Sequence, residues 1–343
     1  MSSGILGWDI GGVNTKGARV GARGALPSRT VCLPYELQRE PSALASVLRA
    51  AAQQLGATAG DHHAITMTAE LSQAFRTKRE GVGFVLDAVE SAFPMNRLHV
   101  YTVPGTFVSP REARNQTFDV AASNWAATSR WVARLVPTCI LIDIGSTTTD
   151  LIPIVEGRLA IQGRTDPERL LSAELVYTGA VRTPVEAVGR QVPLWRGVAG
   201  LAAEGFALMG DVHLWLGRLS PERYGCPTPD GRPATREYAG ERLARAVCAD
   251  RDMLDDPAIE SIARALARDQ VNSIVRALRE LRRRHPAIDT AVITGLGDFL
   301  AAEAAEGAGL NVVYLADRIG SGGITAPAVA VACLLDEHLL ADA

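Results

Sequence analysis

The sequence predicts an α/β protein built of two lobes with a cleft between them, and three observations predict it. A short phrase is written twice: "WDIGGVNTK" (Trp8–Lys16) and "IDIGSTTTD" (Ile142–Asp150). Each copy has an apolar, strand-like lead, then Asp, Ile, Gly, and a run of small or hydroxyl residues. Each is followed by alternating strand-like and helix-like patterns, the mark of an internal repeat of an α/β unit. The chain has 343 residues, 47% of them hydrophobic and 21% charged, enough for two domains of ordinary size with substantial cores. A hydrophobic core needs no Asp at the end of a buried strand, so both copies point to something polar held at the strand ends.

The first lobe spans 1–137. "GILGWDIG" reads as a strand and "TKGARV" as the start of a second after the glycine turn. "PSALASVLRAAAQQLG" has helical spacing, with Ser42 placed as the cap and Gly56 as the stop. "HAITMT" is a short strand, "GVGFVLDAVESAF" a helix ended by Pro94, and "RLHVYTV" a strand. Residues 111–135 read as one long helix leading to Pro137. The second lobe, 138–324, opens with strands "TCILIDIG" and "TDLIPIVEGRLA", the latter carrying "EGR" as a hairpin turn. Residues 190–235 are rich in Gly and Pro and carry no clear pattern. Residues 236–285 read as a helical insertion, followed by strand, glycine turn and helix in "DTAVITGLGDFLAAEAAEGAG" and by the strand "NVVYL". After "GSGG" an apolar helix closes the chain, with 325–343 packing back toward the first lobe.

The net charge of −3 argues against a general nucleic-acid binder or a membrane-surface protein. No secretory signal is visible, and "ITAPAVAVACLL" reads as a buried helix too short to span a bilayer. Five cysteines without CxxC spacing predict a reduced, cytoplasmic protein without structural zinc. Only two of the 35 basic residues are lysine, Lys16 and Lys78. Such positions suit a compact ammonium rather than a planar guanidinium.

Turns of glycine and small hydroxyl residues expose backbone N–H groups that cradle phosphate oxygens. Gly11, Gly12, Asn14 and Thr15 form one candidate cradle; Gly145, Ser146, Thr147 and Thr148 form the other. Asp9 and Asp143 would repel phosphate directly, but each is a natural anchor for Mg²⁺, often through water. Lys16 supplies a point charge for phosphate. In "VITGLGDFL", Gly295 and Gly297 sit between a strand and a helix, a place for a nucleotide's sugar and base or for a phosphate. Asp211 and His213 read as parts of a structural helix in preference to a metal site, and Asp61, His62 and His63 as a solvated turn.

Together these three motifs resemble the actin-like ATPase superfamily: its two phosphate motifs in the repeated loops and its adenosine motif in "VITGLGDFL". The resemblance implies two actin-like (ribonuclease H-like) lobes and an interlobe cleft. A narrower likeness lies in "MTAELSQAFRTKREGV" (Met67–Val82), "NWAAT" (Asn124–Thr128), "IDIGSTTTDLIPI" (Ile142–Ile154) and "LVYTGAVRTPVEA" (Leu175–Ala187). These stretches resemble hydantoinase/oxoprolinase-like proteins linked to tetrahydromethanopterin-dependent one-carbon metabolism.

The methanofuran-building branch of that group implies a transferase. It would condense aminomethyl-furanmethanol diphosphate with γ-glutamyltyramine, forming an aryl ether and releasing diphosphate, with Mg²⁺ as cofactor. The phenol needs a proton acceptor, and Asp143, Asp150 and Glu70 are all candidates. Asp150 equally reads as a hairpin residue and Glu70 as a first-turn helix residue. Lys78, Arg79 and Arg182 are candidates for binding substrate carboxylate or phosphate, and either arginine equally reads as a surface residue. Two other functions use the same loops: an ATP-dependent kinase or amide-ring hydrolase, and a non-catalytic nucleotide sensor. The expected partners are small molecules, without nucleic acid or membrane, and the oligomeric state is left open.

Overall fold

The computed structural model describes residues 4–21, 27–319 and 323–341. The "GSGG" stretch expected before the last helix lies, but for Gly323, outside the described residues.

Strand β1 (Ile5–Ile10) is buried along its whole length. It pairs antiparallel with β2 (Asn14–Val20). β2 pairs in turn with β3 (Pro27–Pro34), an edge strand missing from the reading above. β3 is largely exposed and has a proline at each end, so neither its periodicity nor its composition announces a strand. The helix α1 (Leu44–Gln54) starts later than expected. Pro41–Ala43 forms a 3-10 turn ahead of it, so Ser42 lies inside that turn and caps nothing. Gly56, at φ +71°, ends the helix as expected.

Strand β4 (His62–Met67) runs parallel to β1. Helix α2 (Lys78–Ala92) begins three residues before the expected Gly81, because the Thr77 side chain accepts from the Glu80 N–H. β5 (Leu98–Tyr101) and β6 (Phe107–Val108) complete a six-stranded sheet of order β3-β2-β1-β4-β5-β6. The single helix expected over 111–135 is three: α3 (Pro110–Asn115), α4 (Thr117–Val120) and α5 (Asn124–Leu135). The chain breaks first at Gln116, which leaves the helical region at φ −115°, and the second break, before α5, has two causes. Ala121 bridges to Met67 at the end of β4, and Ala122 takes a left-handed conformation at φ +50°.

The repeat restarts with β7 (Cys139–Ile144), β8 (Thr149–Val155) and β9 (Arg158–Leu159). Glu156 and Gly157 both have positive φ, +51° and +75°, the conformation of a two-residue type I′ hairpin turn. Then follow α6 (Asp166–Leu171), β10 (Leu175–Val176), α7 (Val185–Val188) and a hairpin of β11 (Gln191–Leu194) and β12 (Gly197–Gly200). α8 (Met209–Trp215) leads to α9 (Arg236–Arg245) and α10 (Asp256–Arg284). The stretch read as helical over 236–285 is thus two helices with a turn between them. Cys248 sits at φ +59°, and Asp255 caps a new helix by accepting from the Ala258 N–H. β13 (Thr290–Gly295), α11 (Asp298–Gly307) and β14 (Asn311–Tyr314) follow, then α12 (Ala316–Ile319) and α13 (Ala326–Ala341). The second sheet has the order β10-β8-β7-β13-β14, with β9 on β8.

Internal contacts divide the chain into two compact units. Unit 1 is Met1–Leu141, Ile152–Ser172 and Tyr314–Ala343; unit 2 is Ile142–Leu151 and Ala173–Val313. In unit 1, Leu6, Trp8 and Ile10 join Leu44, Leu48 and Val85 in one buried cluster. α13 lies against β1 so closely that a Cβ on Gly7 would come within 1.9 Å of the Ala328 carbonyl oxygen. By length and composition Gly323–Ala341 is apolar enough to cross a membrane, contrary to the reading as too short, but 67% of it is buried inside the protein. In unit 2, Val212 and Trp215 of α8 pack with Leu243 of α9 and Ile262 and Leu266 of α10.

Candidate active site

The first repeated loop closes with the Gly11 N–H on the Asn14 carbonyl at 3.0 Å. A Cβ on Gly11 would come within 2.8 Å of that same oxygen, so the turn requires glycine there. The register of β1 and β2 sets Asp9 directly opposite Lys16. Lys16 therefore stands on a strand beside Asp9 rather than in the loop, and its Nζ lies 3.0 Å from Asp9 Oδ2. Asp9 is buried, and its other oxygen, Oδ1, has no hydrogen-bond partner; nor has the buried Thr15 hydroxyl. A buried acceptor left unpaired is costly, which makes Asp9 Oδ1 a place for a water or a cation. Gly12 and Asn14 are half-buried at the turn.

The second loop belongs to unit 2 and closes in the same way, with the Gly145 N–H on the Thr148 carbonyl at 2.9 Å. The offset that carries Asp9 to Asp143 also carries Lys16 to Asp150, so the second hairpin has carboxylates where the first has an acid and a lysine. Both are largely buried, each 9% exposed. The loop rests on the segment after β10. Ala180 N–H donates to the Gly145 carbonyl, and the Val181 and Arg182 N–H groups donate to that of Ser146. Ser146, Thr147 and Thr148 are half-buried, and Arg182 is exposed, holding the loop through its backbone. Gly179 packs so tightly beneath the loop that a Cβ there would lie 2.5 Å from Thr147 N.

The third motif adjoins the same loop. Gly295 has φ +98°, and a Cβ there would meet Asp143 Oδ1 at 2.5 Å. The Gly297 N–H donates to the Ile144 carbonyl at 2.9 Å. The motif read as an adenosine site thus makes room for Asp143. His213 is part of the brace for Gly179. Gln270 Nε2 donates to the Gly179 carbonyl and to Thr178 Oγ1, so its Oε1 is the acceptor for His213 Nε2 at 2.9 Å. Burial pushes the His213 imidazole down to about 4, keeping it neutral. Asp211 is buried on Arg242 at 2.7 Å. Both residues lie on α8 with protein partners, in keeping with the expected helix.

A third cluster lies in unit 1. Glu70, in a 3-10 turn at Ala69–Leu71, is buried, and neither carboxyl oxygen has a hydrogen-bond partner. The first turn of α2 covers it: a Cβ on Gly81 would lie 2.4 Å from the Glu70 carbonyl oxygen. Lys78, the first residue of α2, places its ammonium 3.7 Å from Glu70 Oε1 and 2.8 Å from Asp166 Oδ2. Burial pushes the Glu70 carboxyl up to about 7, against the pull of Lys78. Asp166 was missed: in "TDPER" it reads only as the acidic first turn of a helix, and its partner is remote in sequence. Arg79 is exposed.

The Asp61–His63 segment is no solvated turn. Asp61 is buried and accepts from the Gly4 N–H at 2.7 Å. His63 is buried on β4 and accepts at Nδ1 from Trp8 Nε1 at 3.1 Å. Among the described residues no group of three or more His, Cys, Asp or Glu side chains is placed to hold a metal. Magnesium needs no such cage, since one or two carboxylates with waters and substrate phosphates suffice.

Each unit thus carries a glycine hairpin with a buried carboxylate at its base. The nucleotide-free structure of acetone carboxylase matches with a TM-score of 0.61 over 97% of this chain and 70% of that one, at 12% identity. The activator of 2-hydroxyisocaproyl-CoA dehydratase from Clostridium difficile, with bound ADPNP, matches with a TM-score of 0.51 over 99% of this chain and 96% of that one, at 11% identity. The fold is that of the actin-like ATPases. A protein of Methanocaldococcus jannaschii named "(4-{4-[2-(gamma-L-glutamylamino)ethyl]phenoxymethyl}furan-2-yl)methanamine synthase" is 34% identical over 98% of both chains. The hydantoinase/oxoprolinase model matches residues 61–338, and with most of its length inside that match the chain belongs to the hydantoinase/oxoprolinase family.

Proposed function

We propose that this chain is a synthase that condenses aminomethyl-furanmethanol diphosphate with the phenol of γ-glutamyltyramine, giving an aryl ether and free diphosphate. The observation that carries this reading is the 34% identity to the methanamine synthase over 98% of both chains.

The bond that breaks joins the furfuryl carbon to a diphosphate oxygen, and its electron pair leaves with diphosphate. The furan ring delocalises the positive charge that develops on carbon. The bond that forms joins that carbon to the phenol oxygen, and the phenol proton goes to a carboxylate. Two needs follow: neutralising the leaving group and accepting a proton.

For the first, the Gly11–Thr15 and Gly145–Thr148 loops offer backbone N–H groups, and Lys16 offers a positive charge. Asp9 Oδ1, buried without a partner, and Asp143 are hard oxygen donors suited to Mg²⁺. An ion held by either carboxylate would supply Lewis-acid stabilisation of the departing diphosphate. For the second, a free phenol has a pKa of about 10, so a base titrating near neutrality is well matched. Glu70, pushed up to about 7, fits that role better than an ordinary carboxylate. A reducing, cytoplasmic setting suits the five free cysteines.

The test follows diphosphate release from purified protein with Mg²⁺ and both substrates. Release that requires the phenol and is matched by ether formation supports the synthase. Consumption of ATP stimulated by a small molecule, with no ether formed, overturns it in favour of a kinase or hydrolase.

A further inference from the structure

An open cavity of about 630 Å³ lies in unit 1, between α5 and the segment that follows the β8–β9 turn. Four arginines line it: Arg130 and Arg134 from α5, and Arg158 and Arg164 from the facing segment. Leu159 and Ile161 add apolar wall between them. The Arg130 guanidinium is held in place, donating to the Val103 carbonyl at 2.6 Å. Gly105, at φ +101°, leaves it room, since a Cβ there would lie 2.6 Å from Arg130 Nε. Arg134 is paired with Glu337 at 2.5 Å. Arg158 and Arg164 are exposed and make no ion pair among the described residues.

The charge count favours an anion: four guanidiniums face two nearby carboxylates, Glu337 paired with Arg134 and Glu168, which accepts from the backbone N–H groups of Arg164 and Thr165. The apolar wall favours an anion with a carbon stem over a bare inorganic ion. A guanidinium fork matches a carboxylate in two parallel hydrogen bonds. Arg164 also stands two residues before Asp166, the partner of Lys78 beside Glu70, so the cavity wall continues into the segment that carries the buried acid cluster.

We infer that this arginine-lined cavity binds the γ-glutamyl carboxylate end of the acceptor, an assignment that rests on the synthase reading above. The cavity would select acceptors with a carboxylate over the bare phenolic amine.

The experiment compares wild type with the Arg158→Gln/Arg164→Gln double variant, both positions being exposed. Calorimetry measures binding of γ-glutamyltyramine, tyramine and inorganic diphosphate, and steady-state assays measure KM for each substrate. The expected result is a KM for γ-glutamyltyramine raised about tenfold or more, the scale of one lost charged contact. The kcat and the KM for the furan diphosphate should stay within about twofold, and tyramine binding should be equal in the two proteins. An unchanged KM and affinity for γ-glutamyltyramine in the double variant overturns the cavity while leaving the synthase reading intact. If wild type binds γ-glutamyltyramine but forms no ether, and the variant loses that binding, the cavity stands and the synthase reading falls. Loss of diphosphate binding instead of acceptor binding overturns the carboxylate assignment.

Discussion

Lys78 holds its ammonium 3.7 Å from Glu70 Oε1, and that carboxyl group has no hydrogen bond to either oxygen. A buried acid in this state is ionised only reluctantly, which is why it titrates at about 7 rather than the ordinary 4.5. As base for the phenol proton, it must lose its own proton first. Wild-type kcat/KM should therefore rise through pH about 7. Glu70→Gln should lose that limb and retain about one hundredth or less of the activity, on the usual scale for a general base. A variant with the wild-type profile would move the role to Asp143 or Asp150.

The same titration has a stability signature. The folded-state pKa is raised, so the folded protein holds this proton over a range where the unfolded chain has lost it. Stability is then fully present below about pH 4.5 and falls as pH rises to about 7. Converted at 1.36 kcal/mol per pKa unit, the full loss is roughly 3 kcal/mol. Urea melts at pH 4.5 and pH 8 should show this decline in wild type and a smaller one in Glu70→Gln, which cannot ionise.

The Asp9–Lys16 pair makes a different prediction. The cross-strand register fixes the two side chains on one face, and the remaining Asp9 oxygen is the one available to a hydrated cation. Asp9→Asn should lower kcat about 100-fold and raise the Mg²⁺ concentration needed for half-maximal rate. Lys16→Arg keeps the charge but replaces a compact ammonium with a wide fork, and should still lose about tenfold. Asp143→Asn should cost about 100-fold or more. Diphosphate release over a magnesium titration reads all three, and wild-type turnover in Asp143→Asn would remove that residue from the mechanism.

The features legible in the sequence are those in which local chemistry and fold agree. The two glycine hairpins show as repeated text because a strand end, a tight turn and a polar group must recur in fixed order. The type I′ turn at Glu156–Gly157 shows for the same reason. The break at Ala122 does not, because alanine is the best helix former and its left-handed conformation there accompanies the bridge from Ala121 to Met67. β3 escapes because it is a largely exposed edge strand with a proline at each end, and the Ser42 cap fails because Pro41 seeds a 3-10 turn instead. Asp166 belongs to the site only through a contact across 88 residues, which no spacing rule reaches.

Gly179 tests whether the second loop must keep its shape. A Cβ there would press on the backbone of Ser146 and Thr147 at 2.5 Å, and backbone cannot yield as a flexible side chain does. Gly179→Ala should raise the KM for the diphosphate substrate about tenfold while lowering Tm by a few degrees, a core-overpacking cost of about 1–3 kcal/mol. Gly197→Ala, with nothing within 4 Å, is the control and should change neither. A Gly179→Ala enzyme with unchanged kinetics would show that the loop does not hold phosphate in this shape.

Arg242 and Asp211 form a fully buried ion pair, and Asp211 also accepts from the Leu208 N–H at 2.9 Å and the Tyr224 hydroxyl at 3.2 Å. Arg242→Met leaves the acid buried with its strongest partner gone, which costs about 3–5 kcal/mol. The double variant Arg242→Met/Asp211→Leu removes the stranded acid as well and should recover much of that loss, because the penalty belongs to the unpaired buried ion; Asp230, the other acid on Arg242 at 3.1 Å, is less buried and keeps Arg245 at 3.4 Å. Burial already raises the Asp211 carboxyl, with Arg242 opposing; without Arg242 it rises further. Its proton is then held in the folded state at pH values where the unfolded chain has lost it, so the single variant should gain stability relative to wild type as pH falls. Urea melts of the three proteins at pH 5 and pH 8 decide this. A single variant equally destabilised at both values would place the damage in lost packing around Arg242 rather than in the stranded charge.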